Sequence, residues 1–311
     1  MPSNLQRTVL VTGGTSGLGY HCALAIARQR PDYQVVIASR SDPTASADAL
    51  NSLLDQQNVQ FLKLDLSSLA NVRLFAADWE ALPRGVEYTE DGFEKTFAIS
   101  HIGHALLFSL LRPYLANTAR VVIVSSGTHD PEQKTGMPDA NYQSAKDLAY
   151  PPSASVGKNG RQHYTNTKLA NVLYSYALHR RFESINEKHG RHWTVVAFDP
   201  GLMPGTGLAR GAHWVLKFLW SRVLPNIIPF LRLVLSPNVH RPQESGESLA
   251  RLAVDSDVEG MSGVYFEGRK KIKSSTASYD ESKQEDLWQW TITTLVRDDK
   301  ERATFSLSTL I

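Results

Sequence analysis

The feature that most constrains this chain is Thr8-Val9-Leu10-Val11-Thr12-Gly13-Gly14-Thr15-Ser16-Gly17-Leu18-Gly19. Its opening β-branched apolar run, residues 8–11, reads as a buried strand. The run breaks into a turn with glycines at 13, 14, 17 and 19, and residues 20–28 then have helix-forming composition. Strand, glycine turn and helix start are the parts of a dinucleotide cradle. Free N–H groups at the helix N-terminus attract a pyrophosphate, and glycine lets the backbone approach it closely. The same turn also serves as a plain strand-to-helix connection, so its meaning depends on the residues that follow.

A second continuous apolar run, residues 34–38, fits a parallel strand covered on both faces, and it ends in Ser39-Arg40. In such cradles a carboxylate at this point bonds the 2′-hydroxyl of NAD, whereas an arginine suits the 2′-phosphate of NADP. No Asp or Glu stands here, and Arg40 offers a planar, bidentate phosphate partner. The alternative is a solvated arginine at a loop start. A helix is expected over residues 43–57 and a third strand over 59–66. Asp65, at the carboxyl end of that strand, is either an adenine contact or the N-cap of a helix over 67–82.

The alternation then falters. Residues 83–92 hold no apolar run, and the chain goes directly into a helical stretch over 93–115. Residues 119–126 form a clear strand, followed by a long polar loop over 127–160, of a length expected only for a functional or mobile connection. A helix over 161–187 and a strand over 193–198 lead to Asp199-Pro200-Gly201. Residues 202–242 are apolar but broken by Pro204, Pro225, Pro229 and Pro237. A helix over 244–254, a short strand over 263–266 and a helical tail to about 296 complete the chain. With no repeat and no linker-like stretch, the expectation is one α/β domain built on a doubly wound parallel sheet.

The bulk composition excludes several classes. A formal charge of +2 leaves no basic surplus for phosphate backbones, so nucleic acid is not expected as a partner. One cysteine, Cys22, rules out an internal disulfide and a Cys-based zinc site and points to a reducing compartment. The N-terminal residues lack a signal-type apolar core, and a cytoplasmic location is expected. His101 and His104 stand three apart on a helix, but no further ligand completes a metal site. Residues 214–235 are apolar, yet Lys217, Arg222, Pro225, Pro229 and Arg232 interrupt them. A spanning helix is therefore not expected, while peripheral membrane contact stays open.

Tyr164-Thr165-Asn166-Thr167-Lys168 places a phenol and an ammonium four apart, hence on one helix face. A free phenol titrates near ~10, too high for acid–base work at neutral pH, and a cation held beside it favours the phenolate. That spacing alone is common on exposed helices. In combination, Thr12-Gly13-x-x-x-Gly17-x-Gly19, Val124-Ser125-Ser126, Tyr164-x-x-x-Lys168 and Pro200-Gly201 resemble the short-chain dehydrogenase/reductase family over nearly the whole chain. The run Tyr164-Thr-Asn-Thr-Lys-Leu-Ala-Asn-Val-Leu173 is similar to its protochlorophyllide reductase-like and retinol dehydrogenase-like branch, which also carries a long insert before the tyrosine.

The resemblance implies NADP(H)-dependent interconversion of a carbonyl and a secondary alcohol. Tyr164 would be the general acid/base, Lys168 would bond the nicotinamide ribose, and Ser126, rather than Ser125, would bond the substrate oxygen. Gly13, Thr15, Ser16, Gly17, Leu18 and Gly19 would hold the pyrophosphate, Arg40 the 2′-phosphate and Asp65 the adenine. Pro200, Gly201 and Thr206 would flank the nicotinamide. Residues 202–242 would form the substrate lid, whose Trp214, Phe218, Trp220, Ile227, Ile228 and Phe230 imply an apolar substrate. The molecule would be a monomer or homodimer.

Two departures from the family pattern stand out. The fourth strand, with its Asn-Ala-Gly run, is absent, leaving a gap of roughly 20 residues judged by resemblance. Ser100 occupies the place of the family's asparagine, which supports a water in the proton relay. In the expected strand order 3-2-1-4-5-6-7 the loss removes the neighbour of residues 9–11, so the first strand is predicted to pair directly with residues 121–124. Reduction of a conjugated C=C bond, and a nucleotide-binding or interaction protein that has lost turnover, remain as alternative functions.

Overall fold

Two short sheets carry the fold. The computed structural model describes residues 7–78, 91–151, 160–204, 219–234 and 236–305. Its architecture is α/β and Rossmann-type, with parallel strands and covering helices in one domain. Backbone contacts fall into two units. One comprises residues 1–64, 200–259 and 267–270, and the other 65–199, 260–266 and 271–311.

In the first unit β1 (Arg7–Thr12), β2 (Tyr33–Ser39) and β3 (Val59–Lys63) lie in that order and are parallel, with Val9 opposite Val35 and Val35 opposite Val59. β2 has neighbours on both sides and is buried at Val35 through Ala38, as its unbroken apolar run requires. Between β1 and β2 runs α1 (Gly17–Gln29), which buries the small residues Cys22, Ala23, Ala25 and Ala27. α2 (Ser46–Leu54) is shorter than the predicted 43–57 because left-handed Ala45 and Asp55 bracket it. Asp42 starts it by accepting the Ser46 N–H at 2.7 Å. Asn51 then ties α2 to β3, donating to Val59 O and accepting from Val59 N.

The second unit holds the sheet β4 (Thr118–Val124), β5 (His192–Asp199), β6 (Val264–Glu267) and β7 (Lys270–Ile272), in that order. α3 (Leu69–Asp78) follows β3 in the chain. The predicted helix over 93–115 is a composite. α4 (Lys95–Phe97) is capped by the Glu94 carboxylate, residues Ala98–Ile102 form a π-helical turn, and α5 (Gly103–Leu111) continues to a 3₁₀ turn. The loop over 127–160 contains two 3₁₀ turns and α6 (Ala145–Ala149) within its described part. α7 (Gly160–His189) is the longest described element and packs on β5.

Downstream, α8 (Ile228–Val234), α9 (Pro242–Val254), α10 (Glu281–Leu295) and α11 (Asp299–Phe305) complete the described helices. Strand β7 and helix α11 escaped the sequence reading, since three residues with two lysines and a charged tail carry no apolar period.

The predicted pairing of β1 with residues 121–124 is not formed. β1 is an edge strand of one sheet and β4 an edge strand of the other. β4 is only half-buried along its whole length, whereas its partner β5 is buried from Val195 to Asp199.

The core of the second unit centres on Phe182, fully buried, edge-on to Trp193 at 5.5 Å and beside Phe108 at 5.9 Å. Phe182→Ala is expected to cost about 3–5 kcal/mol. Urea unfolding checks this, and an unchanged midpoint would contradict the packing.

Candidate active site

In the first unit the glycine turn is held open for a ligand. Gly13 has φ +70°, lies exposed, and would have nothing within 4 Å of an added Cβ. Its N–H donates to Ala38 O at 2.7 Å, fixing the turn to β2. Gly19 is required for the opposite reason, since a Cβ there would stand 2.4 Å from Gly13 O. Ser16 is the N-cap of α1 in extended conformation and makes no side-chain capping bond. The helix start therefore presents N–H groups outward, and an anionic pyrophosphate fits them.

Arg40 follows β2, is exposed, and makes no hydrogen bond or ion pair with the described residues. The neighbouring loop is tied to the cradle, because Ser46 Oγ donates to Thr15 O at 3.2 Å. Pro200 and Gly201 belong to the same unit. Pro200 O accepts from Ser245 Oγ at 2.6 Å, and Gly201 lies against Asn238. Thr206 and the lid residues Trp214 and Phe218 lie outside the described residues.

In the second unit the end of β4 meets the first turns of α7. Lys168 Nζ sits 5.4 Å from the Tyr164 ring centroid and donates to Val124 O at 3.4 Å. Tyr164, Lys168 and Ser126 are all half-buried and so retain access. Ser125 is buried and its hydroxyl donates to Lys168 O at 2.7 Å, while its N–H donates to Phe198 O. The Ser125 hydroxyl is thus committed to the helix backbone, whereas the Ser126 hydroxyl accepts a long bond of 3.4 Å from Thr128 N.

Two positioning residues were missed. Asn171 is buried, lies one turn beyond Lys168 and donates to the same Val124 carbonyl at 3.0 Å. Its signal was its place three residues after the lysine. His129 is fully buried. Its Nδ1 donates to Ser126 O at 2.7 Å and its Nε2 accepts from Ser275 N at 3.1 Å. This pattern requires the neutral tautomer, and burial lowers the pKa accordingly.

Asp65 is buried and its carboxylate accepts from Ser67 N at 2.9 Å and Ser67 Oγ at 2.6 Å. It makes a turn before α3 rather than an N-cap, the first-turn bond from Asn71 N going to Ser68 Oγ. Ser100 lies in the π-helical turn, a local geometry often found at functional sites. His101 is buried between Phe97 and Tyr174 and bonded to Thr291 Oγ1 at 2.9 Å. His104 Nδ1 donates to Ile99 O. No His, Cys, Asp or Glu cluster suited to a metal occurs among the described residues.

The KR domain profile matches residues 7–87. The WW domain-containing oxidoreductase of Danio rerio is 32% identical over 302 residues, covering 91% of this chain and 67% of that protein. Polyprenol dehydrogenase of Danio rerio is 30% identical over 314 residues, covering 93% and 86%. This chain belongs to the short-chain dehydrogenase/reductase family. Retinol dehydrogenase 14 of Mus musculus, at 31% over 308 residues with 91% and 84% covered, lies in the same group of relatives. The alignment of 314 positions exceeds the 311 residues of this chain, so polyprenol dehydrogenase has positions that this member lacks. Among solved structures, L-sorbose reductase of Gluconobacter frateurii complexed with NADPH superposes with a TM-score of 0.58 at 14% identity, covering 84% of this chain and 94% of that one, which supports the fold.

Burial and the neighbouring His104 hold His101 neutral down to about 3 in the folded protein. In the unfolded chain it takes a proton near ~6.5. Between these values the unfolded state binds the extra proton. The stability due to neutral His101 is therefore complete above ~6.5 and lost as pH falls toward 3. Urea midpoints at pH values near ~7.5 and ~5 should drop less in His101→Gln than in the parent protein. Equal drops would contradict the assignment.

Proposed function

We propose that this protein is an NADP(H)-dependent oxidoreductase interconverting a carbonyl and a secondary alcohol on an apolar small molecule. The observation that carries the reading is the arrangement at the β4–α7 junction. Lys168 lies over the Tyr164 ring, Ser125 is committed to the backbone, and Ser126 is left accessible. Arg40 supports NADP over NAD, because an exposed guanidinium after β2 has no competing partner among the described residues. The names polyprenol dehydrogenase and retinol dehydrogenase 14 support an apolar alcohol or carbonyl as substrate.

When bound, the nicotinamide supplies or accepts the hydride. The chain's own residues handle the proton and the oxygen. Ser126 Oγ donates a hydrogen bond to the carbonyl oxygen, where charge develops as its π bond opens. Tyr164 Oη gives that oxygen its proton, yielding the alcohol, and takes it back in the reverse direction. The Lys168 ammonium stands beside the phenol and donates to Val124 O, a carbonyl that Asn171 also holds.

Tyr164→Phe should lower kcat/KM by about 10²–10⁴-fold while NADPH affinity stays within about two-fold. Arg40→Ala should weaken NADPH more than about ten-fold with NADH affinity unchanged. Calorimetry and an NADPH-consumption assay over a panel of apolar ketones and aldehydes check both. Neither turnover nor nucleotide binding in the parent protein would end this proposal.

A second reading, a nucleotide-binding protein without turnover, is favoured by Ser100 and by the edge position of β1. NADPH binding with no turnover, followed by activity on restoring the fourth strand and Ser100→Asn, would select it. Ordinary turnover by the unmodified chain would exclude it.

A further inference from the structure

The first unit carries a concentration of exposed apolar side chains. Among the described residues eleven large hydrophobic side chains are exposed, and five of them fall between positions 223 and 234. Phe230 is 60% exposed, Leu233 85% and Val234 66%, with Val223 and Ile227 at 36% and 38%. The segment is not merely loose chain. Ile228 is 2% exposed and anchors α8 inward, and Arg232 donates to Val239 O at 2.7 Å and pairs with Glu244. The backbone is thus fixed with Phe230, Leu233 and Val234 turned to solvent.

Charge distinguishes this face from an ordinary apolar patch. From Gly201 through Gln243 there is no Asp or Glu, although the whole chain is nearly balanced at 33 basic and 31 acidic residues. The same stretch contains Arg210, Lys217, Arg222, Arg232 and Arg241. Arg222 is exposed beside Val223, and Arg232 is neutralised by Glu244. An apolar face with the exposed Arg222 beside it, and with the Glu244 carboxylate taken up by Arg232, matches an anionic lipid surface, where hydrocarbon takes the side chains and phosphate or serine headgroups meet the guanidinium group. No described helix is long and apolar enough to cross a membrane.

We propose that residues 219–234 dock this protein peripherally on anionic membrane. The docking does not depend on turnover or on cofactor choice.

Flotation of the full chain with phosphatidylcholine vesicles, with and without about 30% phosphatidylserine, tests this. Binding to the anionic vesicles should exceed binding to neutral ones by more than about ten-fold and fall in high salt. The double substitution Phe230→Ser and Leu233→Ser should reduce anionic binding at least about ten-fold, with an unchanged urea midpoint because both side chains are already exposed. Arg222→Glu should reduce the preference for the anionic vesicles. Absence of flotation, or flotation unaltered in the double variant, overturns the proposal. Concentration-dependent dimerisation that the double variant abolishes, without flotation, would assign the face to a second copy instead.

Discussion

The carbonyl oxygen of Val124 is the point on which the candidate site at the β4–α7 junction depends. In a parallel ladder successive residues turn their backbone groups to opposite sides. Ser125 N–H bonds Phe198 O of β5, so the Val124 carbonyl turns away from that strand. It accepts from both Lys168 and Asn171, drawing two turns of α7 onto the strand end. Ser125 Oγ closes the clamp by donating to Lys168 O. Three bonds between one strand terminus and one helix thereby fix which serine is available and where the ammonium stands. Net contributions near ~1 kcal/mol each suffice for positioning, because all three act on the same short segment.

The cradle in the first unit depends on backbone rather than side-chain chemistry. Gly13 supplies a left-handed residue, Gly19 a close approach to Gly13 O, and Ser16 an uncapped helix start. These demands leave a record in residue identity, since few other residues meet them. That is why the turn could be located in the sequence and stands at the same residues in the structure. The side-chain supports around it left no such record. Ser46 reaching Thr15 O across 31 residues is one example.

Among the described residues the strands form two sheets. β1 and β4 each have the apolar composition of an interior strand, yet each pairs on one side only and is incompletely buried. An exposed edge of that kind is costly and open to pairing with other chains. Counting elements along the sequence exposed the break in rhythm after β3. The expected pairing of β1 with β4 is not among the described strand pairs.

The sequence by itself determined the fold class, the order of the glycine turn, serine, tyrosine and lysine, and the candidate cofactor face. Each of these rests on local requirements: strand period, helix spacing, positive φ and a charged group at a fixed offset. Only the tertiary structure decided that Ser125 bonds the Lys168 carbonyl, that Asn171 and His129 bond the end of β4, and that Phe230 and Leu233 face outward while Ile228 does not. Those outcomes depend on partners tens to hundreds of residues away, such as Ser275 for His129. A buried polar group needs a partner, but its own position in the chain does not say which distant group will supply it.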